Sequence, residues 1–135
     1  MEKYKEILTE RFGKDSLLAL ATVDEKGTPW VRTIDGIFID DSFYTITYFL
    51  SNKMKHVQNN PVVAISGEWF SGHGVAENLG HIKAEQNKFF ADRLRNAFSA
   101  WYGNGHVNED DENTVILKIK LTDGIIFSNG ERYEF

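Results

Sequence analysis

The stretch at residues 30–61, WVRTIDGIFIDDSFYTITYFLSNKMKHVQNNP, decides how the rest of the chain is read. Its first half is rich in β-branched and aromatic residues in short runs, which favours strands over helix. Residues 30–39 read as a strand with a bulge or bend expected at Asp35-Gly36. Asp40-Asp41 turns the chain into a second strand at 43–49. Ser51 then stands as a helix N-cap. The short helix behind it, 52–59, is stopped by Asn60-Pro61, because a residue before proline avoids the helical region.

Upstream, Tyr4, Ile7, Leu8 and Phe12 recur at helical spacing, and Gly13 ends the pattern. SLLALATV (16–23) reads as a buried strand, returned by the turn Asp24-Glu25-Lys26-Gly27 into Thr28-Pro29. Together these give a meander of three antiparallel strands. Downstream, 62–70 reads as a strand, Ser71-Gly72-His73-Gly74 as a loop, and 75–82 as either strand or loop. Residues 85–102 read as the longest helix, with Phe90, Leu94, Ala97, Phe98 and Trp101 on one face. A polar connection follows at 103–113. Val115, Leu117, Ile119 and Leu121 then alternate with polar or outward residues, a period of two. Turns at Thr122-Asp123-Gly124 and Asn129-Gly130 lead through two last strands. Six or seven short strands with two or three flanking helices predict a mainly β (α+β) chain, folded as one antiparallel barrel over 1–135.

Composition narrows the function. Fifteen basic against twenty acidic residues leave a net charge of -5, with no basic excess to neutralise a nucleic-acid backbone. The absence of cysteine excludes disulfides and thiolate chemistry. The charged start MEKYKEILTERF is no secretory leader, and no apolar run has the ~20 residues that span a bilayer. The expected location is cytoplasmic, with no membrane partner. His56, His73, His81 and His106 never fall at i, i+4 on one helix, so no metal site is expected. Gly72-His73-Gly74 is expected to be an ordinary turn, and the acidic run 109–112 a solvated, mobile loop.

A phosphate is held by fixed cations, hydroxyls and free backbone N–H groups. Ser51-Asn52-Lys53 offers a hydroxyl, an ammonium and a helix N-terminus, directly after a strand carrying Thr45 and Thr47. Arg32 on the neighbouring strand supplies a second cation capable of bidentate contact. The plain alternative is that Ser51 only caps the helix and that Lys53 and Lys55 only solvate its face. His56 is open in the same way, either near the phosphate or in solvent. Trp69, Phe70, Trp101 and Phe127 are expected to be core, and Tyr44 and Tyr48 core or interface.

The run ALATVDEKGTPWVRTI followed by FYTITYFLSNKMKHVQNNPVVAIS resembles the FMN-binding split-barrel family of pyridoxamine 5'-phosphate oxidases and their general-stress-protein relatives. The family shows A-T-x-D-x-x-G-x-P-x-V-R, then a Thr-bearing strand, then S-x-K opening a helix that ends N-P. All appear here in order, strongly over residues 19–66. The resemblance implies that Arg32, Thr33 and Ile34 lie along the isoalloxazine with the arginine near the phosphate. It implies that Thr47 contacts the cofactor and that Ser51 and Lys53 bind the phosphate. His56 is placed with this set as a cofactor-binding candidate. It also implies FMN at a homodimer interface and an oxidoreductase acting on a small molecule. Two other readings stay open: a non-catalytic flavin- or haem-type sensor or store, and a deazaflavin-dependent reductase. An efficient pyridoxamine 5'-phosphate oxidase is not expected, because the substrate's own phosphate needs a further arginine-rich element. After His106 this sequence has only Arg132, flanked by Glu131 and Glu134.

Overall fold

The computed structural model describes residues 2–135. Helix α1 (Lys3–Phe12) is followed by the meander β1 (Ser16–Val23), β2 (Pro29–Ile39) and β3 (Ser42–Tyr48), then helix α2 (Asn52–Asn59). Strands β4 (Val62–Gly67) and β5 (Phe70–His81) precede a single 3-10 turn and helix α3 (Lys88–Ala97). The chain then ends in β6 (Thr114–Ser128) and β7 (Glu131–Glu134). All pairings are antiparallel in the order β3-β2-β1-β4-β5-β6-β7, and β3 also pairs with β6, which closes six strands into a barrel. The predicted architecture is the observed one.

Closure is incomplete at one place. β2 pairs with β1 from Pro29 to Gly36, but meets β3 only from Ile37 to Ile39. The first part of β2 therefore has one bare edge, and the barrel is split between it and the end of β3. Asp35-Gly36 is thus a changeover between neighbours and not a bulge. Gly36 fits there closely: a Cβ would lie 3.0–3.1 Å from Leu18 Cδ1 and Tyr44 O, so a larger residue would push them aside.

Each end of the barrel carries a helix. α1 lies where β1 and β3 begin and inserts Ile7, Leu8 and Phe12 into the core. Phe12 meets Phe43 and Phe70 at ring-centroid distances of 5.7 Å. α2 lies where β1 and β3 finish and inserts Met54 and Val57. A second core, built from Ala91, Leu94 and Phe98 on Ile37, Ile39, Tyr44 and Ile116, covers part of the outer wall. Tyr44 is buried there, stacked on Phe90 at 4.3 Å.

Several local expectations are corrected. Residues 71–74 are strand, not loop or turn: a Cβ on Gly72 would sit 2.8 Å from Asp123 O, and one on Gly74 2.7 Å from Lys120 O. These glycines let β5 cross β6 closely; they do not mark a turn. The strand expected over 62–70 breaks at Glu68-Trp69, where Trp69 adopts φ +53°. The turn expected at Thr122-Asp123-Gly124 is a bulge inside one long β6: His73 opposes Asp123, Gly74 opposes Leu121, and Thr122 is extra. The helix expected over 85–102 is helical only to Ala97, and Phe98 packs in the core from beyond its end. The acidic run is tied down, with Glu109 gripped by Arg95 at 2.8 and 2.9 Å and Asp110 by Lys83 at 2.6 Å. Phe70 is core as expected and Trp101 half-buried, whereas Trp69 and Phe127 are exposed as an edge-on pair.

Candidate functional site

Alternation along β1, β2 and β3 sends Thr22, Arg32 and Thr47 into the inward phase, at the end of the barrel under α2. Thr47 opposes Val115, and Arg32 opposes Leu20, both core residues. From above, α2 sends Lys53 onto the Thr47 hydroxyl, where its ammonium donates a hydrogen bond. Arg32 Nη1 donates to Thr22 Oγ1 at 2.6 Å, and Thr22 Oγ1 meets His56 Nδ1 at 2.7 Å. The result is one polar cluster, Thr22-Arg32-Thr47-Lys53-His56, inside an otherwise apolar barrel end. Ser51 stands over it as the α2 N-cap and accepts from Met54 N at 3.5 Å, so much of its hydroxyl capacity is free.

Electrostatics set this cluster apart. Burial, and then the charge of Arg32, pull the Lys53 ammonium below its ordinary value. Burial likewise lowers Arg32. Among the described residues no carboxylate lies within ion-pair distance of either. A pair of half-buried like charges without a counter-ion costs free energy unless an anion compensates it. Two cations, threonine and serine hydroxyls and the start of a helix are the donor set of a phosphate site.

The structure brings Arg32, Thr47, Ser51, Lys53 and His56 to one barrel end. Thr33 and Ile34 are placed differently from each other. Thr33 projects from the outer wall and is exposed, whereas the Ile34 side chain is core. With its side chain in the core and its main chain paired to Leu18 of β1, Ile34 offers little to a ligand, whereas the main chain of Thr33 faces the bare edge of β2. Thr22, the threonine of the A-T-x-D motif, receives no site role from the sequence, although it is buried to 0% exposure and bonds both Arg32 and His56. Its signal was a polar residue in the inward phase of an apolar strand. Beside the cluster runs a groove of about 530 Å³ between the β1–β2 turn and α2. Asp24, Lys26, Asn52, Lys55 and His56 are among its walls. The turn is braced by Asp24, which accepts from Lys26 N and Thr28 N at 2.9 Å and from Trp30 Nε1 at 3.0 Å.

The outer wall on the other side of β1 and β2 is bare. Leu17 and Val31 are each 70% exposed, and Val62 and Val75 share the same outward phase next to Ala19, Ala21 and Ala64. No described helix covers this face.

The molecule is a split antiparallel barrel with a two-cation cluster at one end that no described carboxylate compensates. The family described as pyridoxamine 5'-phosphate oxidase matches residues 1–126, and the chain belongs to it. It is 36% identical over 92 residues to the pyridoxine/pyridoxamine 5'-phosphate oxidase of Shewanella halifaxensis, covering 62% of this chain and 42% of that one. The enzyme of the same name from Bdellovibrio bacteriovorus is 30% identical over 110 residues, covering 72% of this chain and 53% of that one. The chain thus spans about half the length of these relatives. The General Stress Protein 26 of Bacillus anthracis shares the fold with a TM-score of 0.71 at 21% identity, covering 99% of this chain and 100% of that one. No described helix is long and apolar enough to cross a membrane.

Proposed function

We propose that this chain binds FMN and acts as a flavin-dependent oxidoreductase on a small molecule. The observation that carries the reading is the pair Arg32 and Lys53, half-buried together with no carboxylate partner among the described residues. In this reading the flavin phosphate compensates both charges and takes hydroxyl contacts from Thr47 and Ser51. Its isoalloxazine would lie along the singly paired part of β2, where the main chain of Thr33 is free to meet its polar edge. Membership of the pyridoxamine 5'-phosphate oxidase family supports the choice of flavin. FMN, when bound, supplies two-electron transfer; the protein supplies binding, orientation and shielding. A second copy of the chain covers the bare wall around Leu17 and Val31 and completes the pocket, giving a homodimer with two equivalent sites. The substrate is one other than pyridoxamine 5'-phosphate: Arg32 and Lys53 serve the cofactor, and Arg132 is held by Glu134 at 2.6 Å.

Titration with FMN, followed by quenching of flavin fluorescence, tests the site. Arg32→Ala and Lys53→Ala should each weaken binding about ten-fold or more, the size of a lost hydrogen bond to a charged group. Unchanged affinity in both variants rejects the site. Light scattering of the loaded protein should give about twice the 15.5 kDa chain mass. Bleaching of the bound flavin by NADH or NADPH separates an oxidoreductase from a flavin store. Preferential uptake of a deazaflavin or haem would replace the FMN reading.

A further inference from the structure

We infer that Thr22 is the positioning residue of the anion site: it aims the free edge of the Arg32 guanidinium and makes His56 a third donor to the ligand. The inference rests on the phosphate reading above. Arginine carries donors only, so at the 2.6 Å contact Thr22 Oγ1 must accept from Arg32 Nη1. All the partners of Arg32 sit on that one nitrogen: Thr22 at 2.6 Å, and the carbonyls of Leu20 and Trp30 at 3.2 and 3.3 Å. Among the described residues Nε and Nη2 are therefore uncommitted. They form the side-on pair that grips two oxygens of one anion. Holding Nη1 thus decides which edge of the guanidinium faces outward.

The Thr22 hydroxyl still has its proton to place. Its side chain is fully buried, and the one acceptor in reach among the described residues is His56 Nδ1, at 2.7 Å. With Nδ1 accepting, the proton of the neutral imidazole resides on Nε2. That N–H is left for the groove that His56 lines with Asp24, Lys26, Asn52 and Lys55. One buried hydroxyl therefore orients two donors from two different elements, β2 and α2. Neither Arg32 nor His56 needs a carboxylate to be held, so the positive field at the site is not spent on its own scaffolding.

The test uses Thr22→Val, which keeps the shape and the β-branch, and Thr22→Ser, which keeps the hydroxyl. FMN and riboflavin are the probes, since they differ by the phosphate alone. In Thr22→Val, FMN affinity should fall about ten-fold while riboflavin affinity stays level, so that the preference for FMN shrinks. Thr22→Ser should retain the preference. A merely structural role would lower both affinities together or neither. In the ligand-free wild type, nitrogen NMR should show His56 protonated at Nε2, and the Val variant should lose that fixed tautomer. An undiminished FMN preference in Thr22→Val, or a wild-type ring protonated at Nδ1, overturns the inference and leaves the phosphate reading standing. A wild type that binds FMN no better than riboflavin removes both.

Discussion

The two ends of the barrel are closed by helices of similar length with opposite chemistry. α1 closes its end with Ile7, Leu8 and Phe12 against Phe43 and Phe70, a dry aromatic plug. α2 closes the other with Met54 and Val57, but among them stand Arg32, Lys53, His56 and two buried threonines. The first end gains stability from every contact. The second retains two like charges that no described carboxylate compensates, and it is there that the proposed ligand is placed. The contrast supports the proposed site without reference to pocket size, because a scaffold optimised only for stability would not keep the second arrangement.

The sharpest way to break this contrast is to truncate one residue at each end. Phe12→Ala leaves a cavity between Phe43 and Phe70 and should cost about 3–5 kcal/mol in urea unfolding. FMN affinity per folded molecule should not change. Lys53→Met should do the reverse: weaker FMN binding, but a ligand-free protein more stable by about 1 kcal/mol, because a buried charge and its repulsion from Arg32 are gone. A Lys53→Met protein less stable than the wild type would show that this end is scaffold too.

The pH dependence sharpens the comparison further. Lys53 titrates below its ordinary 10.5 in the folded state, so over the alkaline window beneath 10.5 the unfolded chain binds more protons. Ligand-free stability should therefore rise with pH there, and Lys53→Met should flatten the slope. The smallest effect belongs to the rim of the α1 end. Asp35 is raised from 3.8 to about 6 by burial first, and then by a hydrogen bond and repulsion from Asp15, which accepts from Trp101 Nε1 at 2.9 Å. Here the folded state holds the extra proton, so its stabilising share is complete below about 4 and is lost as pH rises through about 6. Asp35→Asn should remove that slope, with a gain at neutral pH of less than about 1 kcal/mol, since the group is partly solvated.

What the sequence made legible was whatever local spacing controls. The meander, the Ser51 cap and the order Arg32, Thr47, Ser51, Lys53 follow from alternation, turn residues and a helix start, each spelled within a few residues. The misreadings share one cause, a distant partner. Gly72 and Gly74 look like a loop until the close passage of Asp123 and Lys120 is known. Thr122-Asp123-Gly124 looks like a turn until its pairing with His73 keeps the strand running. Trp69 and Phe127 look like core by composition, yet they stand exposed because a left-handed turn and the start of a tight hairpin lift both off the barrel. Thr22 was missed because a hydroxyl in an apolar strand has meaning only once Arg32 and His56 arrive on either side of it.

The pairing of β3 with β6 also has a kinetic consequence. Thr47 is fixed beside Val115, and β6 borders both β3 and β5. A nascent chain can build the β1–β3 meander early, yet the ring closes only after the segment Thr114–Ser128 has been synthesised. Long-range closure of this kind carries a large loop entropy and places such folds among the slower single domains. Until then the edges of β3 and β5 are unpaired and open to wrong partners. Thr47 takes its final place only with β6, so the threonine under Lys53 is set at ring closure, and the proposed anion site is complete no earlier.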